Sequence, residues 1–323
     1  MTGRAKTMDS VVFFCQQMLL SAVPLMIVAL AGIYSEKGGV LNFSLEGLML
    51  IGGFTGAMFI HNTQDIMGGS GQYLIALVIA GVFGMVVILL QGLSALKLNG
   101  EQIISGMAIN LLIPPLTIVI ARATIGILQV RYNNTFRITE VPLLSKIPLI
   151  GDIFFKNAYI STLIGAIFLI VTVLVFKKTR FGLRLMACGE NPKAAASMGI
   201  NVTRTRLFGL LISGFFAGFG GLAFVVPNAA EYSATVVGYG YLAVAVVIFG
   251  QWRPLPILFA SIFFGGVKTF ANIYISIPFL ANSGTSSYFF KMLPYLATIA
   301  VLIFTSKRFR QPAALAKVYD EAE

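Results

Sequence analysis

The chain has 323 residues, 57% of them hydrophobic and 11% charged, with a formal net charge of +11 and a mean hydropathy of +0.88. Soluble globular domains carry about 25% charged residues, so this composition excludes an ordinary water-soluble enzyme and points to a bilayer as solvent. The Lys and Arg residues cluster in the segments outside the apolar runs, with two exceptions, and read as topology signals rather than as a basic face for nucleic acid.

A helix that crosses a membrane needs about 20 apolar residues to cover about 30 Å of hydrocarbon. In chain order, such runs are predicted at Val11 to Ile33, Leu41 to Ile60, Tyr73 to Leu96, Ile103 to Leu128, Ala158 to Phe176, Leu207 to Val226, Val236 to Gly250, Pro254 to Ser276 and Met292 to Phe304. The expected fold class is all-α, a polytopic transmembrane helical bundle of about nine spans (eight to ten) with broken helices, in a single domain over residues 1–323. Ala29-Leu30-Ala31 in the first run mimics a signal-peptidase site. The run exceeds the usual h-region of about 7–15 residues, and a second run follows at once, so it is read as a span.

With the C-terminus inside, fourteen Lys and Arg fall in inner segments and seven in outer ones, with Arg122 and Lys268 left within spans. The cytoplasmic side retains basic residues, which places Lys177 to Arg206 and the tail beyond Lys307 inside and Gln129 to Asn157 outside. Pro142 and Pro148 suggest that the outer segment is a partly ordered cap.

Two runs look interrupted. After Gly38-Gly39 the chain reads VLNFSLEG, where Asn42 suits a helix cap and Ser44 and Glu46 fall in the first turns. Later, Pro227-Asn228 and Gly238-Tyr239-Gly240 flank a short span, with Glu231 nearby. Breaks in both halves of a membrane protein point to a transport pathway, because freed backbone groups need protein or water partners. Glu46 is an intramembrane acid for which Lys37 or pathway water is the expected compensation. Asn110, Asn228 and Asn272 offer amides, and Tyr232, Tyr239 and Tyr241 offer faces for a base or sugar. Lys268 reads as structural, with a stem long enough to snorkel. Gly52 and Gly56, and Gly214 and Gly218, have the spacing of close helix packing.

Within the long inner loop, Asn191 suits an N-cap, Pro192 the first helical position and Gly199 the left-handed C-terminal position. This two-turn helix presents Ala194, Ala195, Ala196 and Met198 as a small apolar surface. So short a helix is marginal in water and needs something to hold it, either another subunit or the chain's own loops.

The stretch FGLRLMACGENPKAAASMGINVTRTRLFGLLISGFFAGFGGLA resembles the signature region of ABC-importer permeases for branched-chain amino acids, simple sugars and nucleosides. GGVLNFSLEGLMLIGGF and GYGYLAVAVVIFGQWRPL match further in the same order. The resemblance implies that Glu190, Asn191, Ala194, Ala195 and Gly199 belong to a cytoplasmic coupling helix that contacts an ATPase. It also implies an extracytoplasmic substrate-binding protein and a second permease subunit, with a heterodimer plausible, in the bacterial cytoplasmic membrane. VLNFSLEGLML looks closest to the nucleoside and simple-sugar branch. The candidate path residues are Asn42, Ser44, Glu46, Asn110, Asn228, Glu231 and Tyr239.

Nothing matches the phosphate-binding loop GxxxxGK[ST], a His-dependent triad or a clustered metal site, so neither catalytic residues nor a cofactor are expected and ATP is handled elsewhere. The rivals are an ion-gradient-driven transporter with Glu46 or Glu231 as the coupling acid, and an importer for another solute such as a flavin.

Overall fold

The computed structural model describes residues 2–133, 136–140, 150–154, 156–274, 287–305, 310–317 and 319. The elements are α1 (Thr2–Glu36), α2 (Leu45–Thr63), α3 (Gly69–Leu96), α4 (Gln102–Ile125), β1 (Val130–Arg131), β2 (Ile138–Glu140), α5 (Ile150–Phe154), β3 (Lys156–Ala158), α6 (Ile160–Lys178), α7 (Arg180–Glu190) and α8 (Pro192–Ser197). They continue as α9 (Val202–Asn228), β4 (Glu231–Tyr232), α10 (Tyr239–Phe249), α11 (Pro254–Ile273) and α12 (Ser287–Thr305). Pro142, Lys146, Pro148, Ser276, Lys307 and Arg308, which entered the sequence reading, lie outside the described residues.

Each predicted apolar run contains a helix. Six helices among the described residues, α1, α3, α4, α6, α9 and α11, are long and apolar enough to cross a bilayer. Length and apolarity alone therefore support at least six crossings among the described residues. Two of the other three runs fall short for separate reasons: α2 has 19 residues but carries Glu46 and His61, and α10 has only 11 residues. The last, α12, has 19 residues, and its apolar stretch Phe289–Ala300 is continued in sequence by Val301 to Phe304.

A second departure from an all-helical chain lies at one end of the bundle. Strands β1 and β4 pair antiparallel, Val130 with Tyr232 and Arg131 with Glu231, while β2 pairs with β3. These short ladders satisfy backbone groups where connections crowd together.

Helix α9 is the central pillar. In its most apolar window 83% of residues are buried, against 22–44% in the other five long helices, because it packs on α1, α2 and α3 together. Small residues permit this. A Cβ on Gly52 of α2 would overlap the Gly218 backbone of α9, and a Cβ on Gly84 of α3 would overlap the Gly214 carbonyl oxygen. The glycine pairs spaced four apart in sequence thus bring three backbones into contact.

Segments grouped by the basic-residue bias also group in space. At one end, Ala314 N donates to Gly189 O at 2.8 Å and Ala316 N to Gly39 O at 3.1 Å, and Trp252 Nε1 donates to Glu36 Oε2 at 2.5 Å. At the other, His61 Nδ1 lies 2.7 Å from Arg131 O and Gln16 Nε2 donates to Asp152 O at 2.7 Å.

Candidate translocation site at two broken helices

The two interruptions, 192 residues apart, meet in space. At the first, Ser44 rather than Asn42 occupies the N-cap position of α2, and it makes no side-chain capping bond. Asn42 acts one step earlier, its Oδ1 accepting the Ser44 N–H at 3.1 Å while its Nδ2 donates to Ser213 Oγ of α9 at 2.9 Å. The Ser44 hydroxyl lies 2.8 Å from Asn42 Oδ1 and 2.6 Å from Gln91 Oε1 of α3. Asn42, Ser44 and Gln91 are all fully buried. Asn110 of α4 is also buried, with Oδ1 accepting the Gly47 N–H at 2.7 Å and Nδ2 donating to Phe43 O at 2.7 Å. These amides tie helices to an irregular backbone, where an unpaired polar group is costly. None of the three predicted path residues Asn42, Ser44 and Asn110 faces open space.

At the second interruption, Gly238 takes the N-cap position of α10 in a left-handed conformation, φ 72°, and has no side chain with which to cap. Glu46 supplies the missing acceptor from α2. Gly238 N–H donates to its Oε1 at 3.0 Å and Gly240 N–H to its Oε2 at 2.6 Å. A carboxylate at the positive end of a helix, accepting orphan N–H groups, is well compensated. The compensation expected from Lys37 is absent, since that ammonium lies against Met186 Sδ and the Phe176 ring. Glu46 therefore joins the two breaks, and Lys268 adds an attractive charge.

Beside this junction opens a cavity of about 490 Å³. Three helices each present a pair of residues four apart, which share a helix face: Phe224 and Asn228 on α9, Lys268 and Asn272 on α11, Lys291 and Tyr295 on α12. Tyr239 at the start of α10 closes the wall, its ring centroid 4.1 Å from that of Phe224 and 5.1 Å from the Lys268 ammonium. Glu231 lies at the rim, paired with Arg131 Nε at 3.3 Å. Aromatic faces beside amide and ammonium groups suit a planar solute with a hydrogen-bonding edge.

The far end of the bundle carries α7 and α8. Asn191 Oδ1 accepts the Ala194 N–H at 3.0 Å, Pro192 opens α8, and Gly199 adopts φ 79°. What read as loop before Asn191 is the amphipathic helix α7, started by Thr179 Oγ1 accepting the Gly182 N–H at 3.1 Å. Ala195 is only 4% exposed, in a cluster with Cys188 and Val202 that Ile200 and Tyr319 cover. One face of α8 is thus held by the chain itself, and burial pushes the Cys188 thiol up from its ordinary pKa. Glu190, Asn191, Ala194 and Gly199 are exposed, and Met198 is 82% exposed.

Residues 14–302 match the family model described as branched-chain amino acid transport system / permease component. The chain belongs to this permease family. It is 35% identical to the guanosine ABC transporter permease protein NupQ of Bacillus subtilis over 286 residues, 88% of this chain and 89% of the relative. It is 34% identical to the nucleoside ABC transporter permease protein NupC of Lactococcus lactis subsp. cremoris, with the same coverage. A more distant relative, the guanosine ABC transporter permease protein NupP of Bacillus subtilis, is 23% identical over 80% of this chain and 73% of its own length. No solved structure matches the chain.

Membership in the permease family makes the chain a multi-pass cell-membrane transport subunit rather than an enzyme, with an ATPase and a substrate-binding protein as partners. Of the path residues expected in this permease, Asn228, Glu231 and Tyr239 line the cavity, Glu46 ties the start of α10 to α2, and Asn42, Ser44 and Asn110 hold the irregular backbone before α2 and its first turn. Phe224, Lys291 and Tyr295 were missed as lining residues, and Lys268 and Asn272 were weighed but not chosen. The four-residue spacing of aromatic, amide and ammonium groups on three apolar helices was a signal that could have found them.

Proposed function

We propose that this permease forms one half of the membrane pathway of an ATP-driven nucleoside importer. In this reading it crosses the bilayer about nine times and pairs with a second, non-identical permease. The observation that carries the solute is the cavity lined by the Tyr295, Tyr239 and Phe224 rings, the Asn228 and Asn272 amides and the Lys268 ammonium. Relatives named for guanosine and nucleoside transport support the same class. Two different guanosine permease proteins of one organism match this chain unequally, at 35% and 23% identity, which supports a pair of unlike subunits.

Competition for uptake in cells tests the solute. Excess nucleoside should suppress uptake, whereas an importer inhibited by a simple sugar or a flavin and indifferent to nucleosides would end this reading. Asn272→Ala should raise the half-saturating concentration about tenfold, the worth of one good hydrogen bond, with the amount of protein in the membrane unchanged.

The exposed face of α8 would meet the ATPase in this scheme, with Glu190, Asn191, Ala194, Met198 and Gly199 outward and Ala195 holding the helix to its support. Met198→Asp and Ala194→Asp should then abolish substrate-stimulated ATP hydrolysis in an importer that still inserts. Ala195→Asp should instead lower the yield of folded permease, because a charge would enter the cluster of Cys188 and Val202. Wild-type coupling in an assembled Met198→Asp importer would show that this face meets no ATPase.

A further inference from the structure

The end of the bundle that carries α8 holds a second cavity, distinct from the transport site. It is a groove of about 550 Å³ between the last turn of α6, α7 and the start of α11. Its walls combine Phe176, Leu255 and Phe259 with three cations, Lys37, Lys177 and Arg253. Leu255 is 46% and Phe259 70% exposed, so the apolar side opens outward from the bundle and, in a membrane, toward lipid. We infer that this groove binds one anionic phospholipid of the inner leaflet, its headgroup among Lys37, Lys177 and Arg253 and its chains along Leu255 and Phe259.

Charge complementarity commits the occupant. Lys37 is partly buried, and no carboxylate among the described residues lies within ion-pair distance of it. The nearby Glu36 carboxylate is engaged by Trp252. Burial lowers the Lys37 pKa, Glu190 attracts its charge from a distance, and Arg253 repels it. A phosphate diester places its negative charge in a groove whose lining includes all three cations. A soluble anion would engage the cations alone, whereas a phospholipid matches the cations and the adjoining lipid-facing apolar wall in one molecule, and basic pockets between helices on the cytoplasmic side suit such headgroups. The inference rests on the inward orientation of α8 given above, but not on the nucleoside assignment, since the two cavities share no residue.

Native mass spectrometry of the complete importer, extracted from membranes containing phosphatidylglycerol, cardiolipin and phosphatidylethanolamine, tests the site. The wild type should retain an anionic lipid that a Lys37→Gln, Lys177→Gln, Arg253→Gln variant loses. Each basic group is worth about fivefold at a membrane surface, so retention should fall about a hundredfold, with phosphatidylethanolamine unaffected. A second measurement leaves the cations intact. Phe259→benzoylphenylalanine, at the groove mouth, should crosslink to phospholipid on illumination. Equal anionic-lipid retention by wild type and variant, or crosslinks that go only to the second permease subunit, would overturn the site.

Discussion

Gly218→Leu is expected to remove most of the folded permease from the membrane. At this position α9 touches two neighbours through backbone alone. A Cβ on Gly218 would overlap Ala80 O of α3 and come within 3.1 Å of Gly84 Cα, while Gly52 of α2 presses on the Gly218 backbone from another side. Rotamer choice cannot relieve an overlap with backbone, so helices α2 and α3 must move off α9. Overpacking costs about 1–3 kcal/mol where side chains can yield, and more where backbone must shift. Because α9 supports α1, α2 and α3, the loss should propagate through the bundle. Gly71→Ala is the control, since nothing lies within 4 Å of a Cβ there. Detergent extraction followed by size-exclusion chromatography of a fluorescent fusion reads the result. A monodisperse Gly218→Leu protein at wild-type yield would show that the three-helix contact is not required.

Glu46→Ala is expected to eliminate transport with a smaller loss of protein. The substitution removes both acceptors from the Gly238 and Gly240 N–H groups, and each buried donor left unpaired costs about 1–3 kcal/mol. The start of α10, which places Tyr239 in the cavity wall, would lose its tie to α2. Glu46→Gln keeps a carbonyl oxygen and should retain one of the two bonds, giving intermediate thermal stability and partial uptake. Uptake by the reconstituted importer and its melting temperature in detergent should fall together across the series, wild type above Gln above Ala. A coupling acid would behave differently, because Glu46→Gln would then abolish transport while leaving the melting temperature unchanged. If Glu46→Ala transports and melts like the wild type, the carboxylate is not the clasp described above.

The regions of apolar helix, the spacing of the packing glycines and the caps of α8 were legible because each depends on residues close in sequence. Asn191, Pro192 and Gly199 meet the demands of helix ends within one segment. Gly52 and Gly218 could be read as packing residues from their local spacing, although neither segment reveals that the two meet each other. Helix α7 was overlooked because it is amphipathic and basic, so hydropathy, which follows membrane runs, counts it as loop.

The site itself was legible only in outline. The sequence by itself determined that the chain is a polytopic membrane permease, since composition, apolar runs and three ordered motifs all act through local chemistry. It also marked both breaks as unusual. Only the tertiary structure decided that the breaks join, that Glu46 is compensated by the N–H groups of α10 rather than by Lys37, and that Ala195 faces inward while Met198 faces out. The reason is physical: a buried carboxylate or amide needs partners, but its type and depth do not say which distant backbone supplies them.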